Sequence, residues 1–461
     1  MAGIGFELRK LVEERSIRGF LGAAFSGTFI VAGPWLISTA SVAAVQRLPF
    51  LEGEAAQLAF TGAMVWAFAL SLCLGTGPLY AYVRLSADLI YEKRRGEAGS
   101  ALAKAILASA GIFFTIGAGL SLVLVRCAPH PILFRLSFAA LLAALGALWL
   151  SMMTVTVLRR YGRIIASYGA GMVLLVIVAA FLGPRYGPAG GVAALAAGYG
   201  LAAALLAASA LAALGRSPLP RFGSMLGGYL KRYRNLVLAG AAYAAGTWAD
   251  KAILWAAQGR AAEGTSFFIF PPYDSAFFYA NLTLIPGLVY YTLATETDFH
   301  LDLMRFLVFL ARRRQPEVEK ARRRLERSAR RELRAQCLFQ GGVVAVALVL
   351  AGPLADYLGL VEPSFVLLTL AGLFQLLLLA TMNMLFYIEL YRDAALASLL
   401  FLCLNCALSG AQALGAPLPY GLPFLAACAV SSLVSLGLAL RGLGRLDRII
   451  YYRASGEVFG L

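Results

Sequence analysis

Uninterrupted apolar runs of about 20 residues or more recur along nearly the whole chain, separated by short breaks of charge, proline or glycine, and they leave it few ways to fold. A run of that length crosses a bilayer as a helix, because in hydrocarbon each backbone N–H and C=O must find its partner within the segment. The runs fall at roughly 19–46, 57–83, 101–126, 132–158, 164–183 and 189–214, and then, after a polar stretch, at roughly 235–258, 275–296, 335–356, 364–388, 393–414 and 420–440. This predicts an all-α integral membrane protein of about 12 transmembrane helices in two six-helix lobes. Composition agrees: 60% of the 461 residues are hydrophobic and only 14% are charged, against about 25% charged in a soluble globular chain. Too little polar surface remains for large water-facing domains.

The excess of 40 basic over 24 acidic residues, a net charge of +16, would in a soluble protein point to nucleic acid. Its distribution points instead to orientation. With both termini cytoplasmic, about 33 of the Lys and Arg residues lie in inside segments and about five in outside loops, as the positive-inside rule requires. Losing one helix would put the Arg-rich 303–334 segment on the wrong side, so the charge count also supports an even number of spans.

The expected layout is a cytoplasmic amphipathic segment over 1–18, an N-terminal lobe over 19–214, a linker over 215–234, a C-terminal lobe over 235–441 and a cytoplasmic tail over 442–461. Met1 to Arg18 is too charged for a signal peptide; Ile4, Leu8, Leu11 and Val12 fall at helical spacing, fit for a helix on the inner interface. Inside the C-terminal lobe, Gln315-Pro316-Glu317-Val318-Glu319-Lys320 opens a basic helix within about 303–334, with proline in the first turn and acids near the positive end of the dipole. That helix is read either as a solvated basic face touching anionic lipid or as a dock for a cytoplasmic partner. The two blocks share a faint echo at their first helices, Ala32-Gly33-Pro34-Trp35 and Ala245-Gly246-Thr247-Trp248, consistent with related half-bundles.

Enzyme signatures are missing. No G-x-x-x-x-G-K-[ST] loop is present, the only histidines, His130 and His300, are expected on opposite membrane faces, and the longest outer loop, roughly 259–274, is too short for a catalytic domain. Cys403 and Cys406 form a C-x-x-C in an apolar stretch without a second ligand pair, read as packing. No disulfides, metal or cofactor are expected.

Polar and aromatic residues at membrane depth are the remaining candidates. Pro34 lacks an N–H and should open the first span, with Gly33 admitting a close neighbour and Trp35 offering a stacking surface; Gly33, Pro34 and Pro286 are the gating candidates. Asp250 and Lys251 cost about 2.5 to 3.5 kcal/mol each near a bilayer centre and should not face lipid. Adjacent residues diverge by about 100 degrees on a helix, so separate partners or a wide aqueous cavity are expected; the plainer alternative has Lys251 snorkelling outward and Asp250 paired with a basic residue such as Lys104 or Arg135. Tyr273 to Gly287, followed by Tyr290 and Tyr291, alternates aromatics with polar groups. A wall of that kind suits sugars, which have apolar faces and hydroxyl rims, and an interfacial aromatic belt is the competing reading. The path candidates are therefore Trp35, Trp248, Asp250, Lys251, Tyr279, Asn281, Tyr290, Gln375, Asn383 and Tyr387, the last three on the tenth span, where interhelical hydrogen bonding is the alternative.

Gly3-Ile4-Gly5-Phe6-Glu7-Leu8-Arg9-Lys10, Gly33-Pro34-Trp35, Trp248-Ala249-Asp250-Lys251, the stretch from Tyr273-Asp274 to Ile285-Pro286, and Glu296-Thr297-Asp298-Phe299 together resemble the PelG family, inner-membrane transport subunits of the bacterial Pel exopolysaccharide machinery. The resemblance runs from the N-terminus through the last span, with the first octapeptide its most specific element. It implies a fold similar to the polysaccharide flippases and MATE-like transporters, two six-helix lobes around a central cavity. It also implies a cargo, an N-acetylgalactosamine-rich polymer, and partners: a PelF-like cytoplasmic glycosyltransferase, a PelD-like cyclic-di-GMP receptor and a PelE-like membrane protein. The alternatives are an ion-coupled MATE-type exporter using Asp250, a lipid-linked oligosaccharide flippase, and, least supported by the residues, a membrane-embedded glycosyltransferase.

Overall fold

The computed structural model describes residues 32–312 and 315–459, so the expected N-terminal amphipathic helix and the first half of span 1 lie outside the described residues. All regular structure among the described residues is helical, apart from two isolated β-bridges, Val125 with Thr265 and Arg260 with Ile269. Among the described residues, ten helical stretches are long and apolar enough to cross a membrane, Pro271–Ala311 being counted as one. Two of the twelve expected spans are not among them. Span 1 is described only from Gly33 to Gln46, and span 7, Arg234–Gln258, has the length but carries Asp250 and Lys251, which lower its hydropathy.

The chain forms two compact units, 32–271 and, among the described residues, 272–459. In the first, α1 (Gly33–Gln46) is followed by α2 (Glu54–Tyr91), α3 (Arg95–Leu124), α4 (Pro131–Val157), α5 (Tyr161–Tyr186), α6 (Pro188–Leu214), α7 (Phe222–Arg232) and α8 (Arg234–Gln258). Prolines open α1, α4 and α6, where a first-turn residue has no helical acceptor to lose. Lipid gives no hydrophobic drive between helices, so close packing of small residues joins them. A Cβ at Gly198 would sit 2.6 Å from the Leu175 Cβ and 2.8 Å from the Gly171 carbonyl; α5 and α6 therefore meet backbone to backbone.

Two assignments shift. The helix α8, expected to begin the second lobe, packs on α2 and falls within the 32–271 unit. The supposed linker contains α7, whose Tyr229 hydroxyl donates to Asp88 Oδ2 at 2.9 Å while Asp88 pairs with Arg84 at 3.4 Å. These contacts pin α7 to the polar end of α2.

In the second unit, span 8 is not one helix. It runs as α9 (Pro271–Leu282), α10 (Leu284–Tyr290), a π-turn (Tyr291–Thr295) and α11 (Glu296–Arg312). Pro286 accounts for the break: its ring collides with the carbonyl four residues back, at Leu282, and has no N–H to offer it. Then follow α12 (Gln315–Val349), α13 (Ala351–Leu358), α14 (Glu362–Tyr387), α15 (Tyr391–Ala413), α16 (Leu422–Gly444) and α17 (Leu446–Phe459). The expected basic helix and span 9 are one continuous element, α12, whose exposed basic face (Arg323, Arg324, Arg327, Arg330, Arg331, Arg334) leads without interruption into exposed Leu338, Phe339 and Val346.

Candidate functional site

In the 32–271 unit, one candidate, Trp248, belongs to a file of rings built on one face of α8. Trp248 and Trp255 lie two turns apart and so share a side; their rings are 6.0 Å apart. Trp255 stacks on Trp66 of α2 at 5.9 Å with 24° between planes, and Trp66 meets Phe267 edge-on at 6.2 Å. Phe267, fully buried, lies against Phe134 and Phe138 at 5.9 and 5.0 Å. The indole N–H of Trp66 donates to the Phe268 carbonyl at 2.8 Å. A continuous file of rings thus links α8, α2, α4 and the 259–270 loop. Trp66, Trp255 and Phe267 are absent from the sequence-derived set; the seven-residue spacing of Trp248 and Trp255 was a legible signal, whereas nothing local marked Trp66 or Phe267.

Asp250 and Lys251 adjoin this file and correct an expectation. They pair with each other: Lys251 Nζ lies 3.1 Å from Asp250 Oδ1 and 3.3 Å from Oδ2, and it donates to the Thr247 carbonyl at 2.8 Å. The flexible four-carbon stem spans the angle that backbone geometry opens between the two residues. Nor does Lys251 snorkel, since it is 3% exposed and Asp250 1%. Lys104 and Arg135 are engaged elsewhere, with the carbonyls of Leu219 and Val125 respectively. The Lys251 ammonium also lies 5.7 Å from the Trp248 ring centroid, within reach of a cation–π attraction. Gly33 is buried in the first turn of α1 and Pro34 half-buried beside it, while Trp35 is 36% exposed.

In the 272–459 residues, Tyr273 is buried against Phe277 (6.4 Å) and Tyr420 (6.5 Å). Tyr279 is half-buried with Phe278 edge-on at 5.2 Å. The Asn281 amide donates to the Phe277 carbonyl of its own helix at 2.9 Å. Tyr290 stacks on Phe339 of α12 at 4.8 Å and 15°. On α14, Tyr387 contacts the rings of Phe299 and His300 at 6.0 and 5.8 Å, and Gln375 and Asn383 are half-buried. Pro286 is exposed beside the break it causes.

A feature absent from the sequence reading lies on α12. Ser328, Glu332, Gln336 and Gln340, four residues apart, form a polar stripe on its buried face, each at most 6% exposed. Gln340 Nε2 donates to the Thr283 carbonyl at the break in span 8, at 3.0 Å. Gln340 Oε1, both amide atoms of Gln336 and the Ser328 hydroxyl have no hydrogen-bond partner among the described residues. An unpaired buried polar atom costs about 1–3 kcal/mol. The signal was present as i, i+4 polar spacing, but arginines interleave it and read as a solvated helix. Among the described residues no group of three His, Cys, Asp or Glu side chains is placed to hold a metal.

The comparisons agree on fold and family. The model of the PelG exopolysaccharide exporter family (EPS-E) matches residues 1–451. No curated protein sequence matches. Among solved structures, a MOP-superfamily transporter from Pyrococcus furiosus, described by a binding pocket of reverse polarity, aligns with TM-score 0.59 at 14% identity, covering 91% of this chain and 96% of that one. A MATE transporter in its bent conformation aligns with TM-score 0.61 at 14% identity over 97% and 98% of the two chains. An outward-facing multidrug transporter of the MATE family aligns with TM-score 0.58 at 13% identity over 92% and 96%.

Proposed function

This chain belongs to the PelG family of exopolysaccharide exporters and has the MOP/MATE transporter fold, and from that premise we propose that it is the inner-membrane conduit for a Pel-type, N-acetylgalactosamine-rich polymer. The family match across residues 1–451 carries the reading. The polymer is made by a PelF-like cytoplasmic glycosyltransferase, PelD-like and PelE-like membrane proteins assemble with the conduit, and both termini are cytoplasmic.

The chemistry of the sites supports a carbohydrate cargo. A sliding glycan needs aromatic faces for its sugar rings and hydrogen-bonding groups for its hydroxyls, without a fixed charge that would hold it. Trp248 and Trp66, the half-buried rings of the file, supply the first, with buried Trp255 packed between them. The Asp250–Lys251 pair is net neutral and already coordinated, so it does not act as a lone anionic trap. Trp35, Tyr279, Asn281, Tyr290, Gln375, Asn383 and Tyr387 are the further proposed contacts, with Gly33, Pro34 and Pro286 at the bends. An exporter of small cations coupled to Asp250 would have to break that carboxylate from Lys251 in each cycle.

The test is reconstitution of the chain with its glycosyltransferase in vesicles supplied with UDP-sugar on the outside. Polymer that enters the lumen and resists an added hydrolase is the expected result; polymer left entirely on the synthesis side overturns the proposal. Trp248→Ala is expected to slow passage about twofold to tenfold, the worth of one aromatic contact.

A further inference from the structure

The short helix α10 has a discontinuity at each end, the break at Thr283 and the π-turn Tyr291–Thr295, and both it and the π-turn pack against α12. On α12, Gln336 and Gln340 occupy the same face about one turn apart. One is engaged and one is idle. Gln340, fully buried, holds the Thr283 carbonyl; Gln336, 2% exposed, has neither its N–H group nor its oxygen paired among the described residues. A glutamine kept unpaired inside a membrane protein lowers the stability of the state in which it is idle.

We propose that Gln336 is the second latch of a two-position ratchet: α10 steps by one helical turn toward the arginine-bearing end of α12, and the Thr283 carbonyl passes from Gln340 to Gln336. The required step is about 6 Å, four residues at ~1.5 Å rise, close to the ~5.4 Å pitch of a helix. The flanking geometry supplies the freedom. Pro286 severs α10 from α9, and the π-turn interrupts the regular hydrogen-bond ladder on the other side. Gly287 faces Gln340 Oε1 so closely that a Cβ there would clash with the amide and with Leu376; its bare surface lets the glutamine and the backbone slide past each other. Both glutamines are positioning residues, which hold the segment without needing to touch cargo. The proposal rests on the transporter fold and not on the identity of the polymer.

The experiment needs no substrate. The full-length chain, with its native cysteines replaced, carries spin labels at Ile285→Cys on α10 and Leu433→Cys on the exposed face of α16, in lipid nanodiscs. The parent is expected to show two distances separated by up to about 6 Å. Gln340→Leu shifts the population to the second. Gln336→Leu leaves the first alone and raises Tm, because an unpaired amide is gone, while Gln336→Asn, which keeps the N–H donor, retains part of the second. Should Gln340→Leu fail to fold, the opposed effects of Gln336→Leu on Tm and on the second distance still decide. A single distance in the parent and every variant, or a second population that survives Gln336→Leu, overturns the ratchet.

Discussion

The two units meet the same problem, polar side chains away from water, in opposite ways. On α8, the charges of Asp250 and Lys251 are satisfied by each other, by the Thr247 carbonyl and by the Trp248 ring. On α12, the milder amides of Gln336 and Gln340 are left partly unpaired among the described residues, beside a broken helix. The costlier groups are the settled ones. Burying an unpaired charge is far more expensive than burying an unpaired amide, so a segment that must change position is better lined with the latter. Charge satisfaction marks a place that holds, and amide frustration marks a place that moves.

That contrast can be broken most sharply at α8. Asp250→Leu leaves Lys251 as a buried cation without its carboxylate and is expected to cost about 3–5 kcal/mol, whereas Asp250→Leu with Lys251→Met recovers most of it. Denaturation of the purified single and double variants measures both; equal destabilisation in the two would show that the pair serves something other than mutual neutralisation. Next in size is the small-residue contact between α5 and α6. Gly198→Ala pushes a methyl against Leu175 and the Gly171 carbonyl, an overpacking expected to cost about 1–3 kcal/mol, read as a lowered Tm. If Tm holds, the helices have more room to part than their backbone contact allows.

The smallest effect lies outside the membrane. Burial, then its hydrogen bond to Asp88, pushes the Tyr229 phenol up to about 12. A raised pKa favours the neutral phenol in the folded state. The stability it adds is present below the ordinary tyrosine value near 10 and is lost as pH rises through the folded value. Alkaline absorbance titration checks this: Asp88→Asn should bring the Tyr229 transition down toward the ordinary range, and no change would remove α7 from the set of well-tethered elements.

Much of the architecture was legible before any coordinates. Apolar run length marks helices because the bilayer leaves backbone groups no other partner, and the ends of spans such as α4, α14 and α16 fall close to their predicted places. The break in span 8 was legible only as Pro286, a residue type that spoils helices in some contexts and is tolerated in others. The site was legible in part. Single residues such as Trp248 and Asp250 stood out for being expensive or aromatic at membrane depth, but their partners come from α2 and a loop, about 180 residues earlier and 20 later in the chain for Trp66 and Phe267.

By itself the amino-acid order determined that this protein lives in a bilayer, where most of its long apolar helices lie, and which of them carry costly groups, since each of those follows from the transfer free energy of local segments. Tertiary structure alone decided that Lys251 turns back on Asp250, that α8 packs on α2, and that of two identical glutamines one grips a carbonyl and the other does not. Those outcomes depend on which surface lies opposite a side chain, and distance along the chain does not encode that.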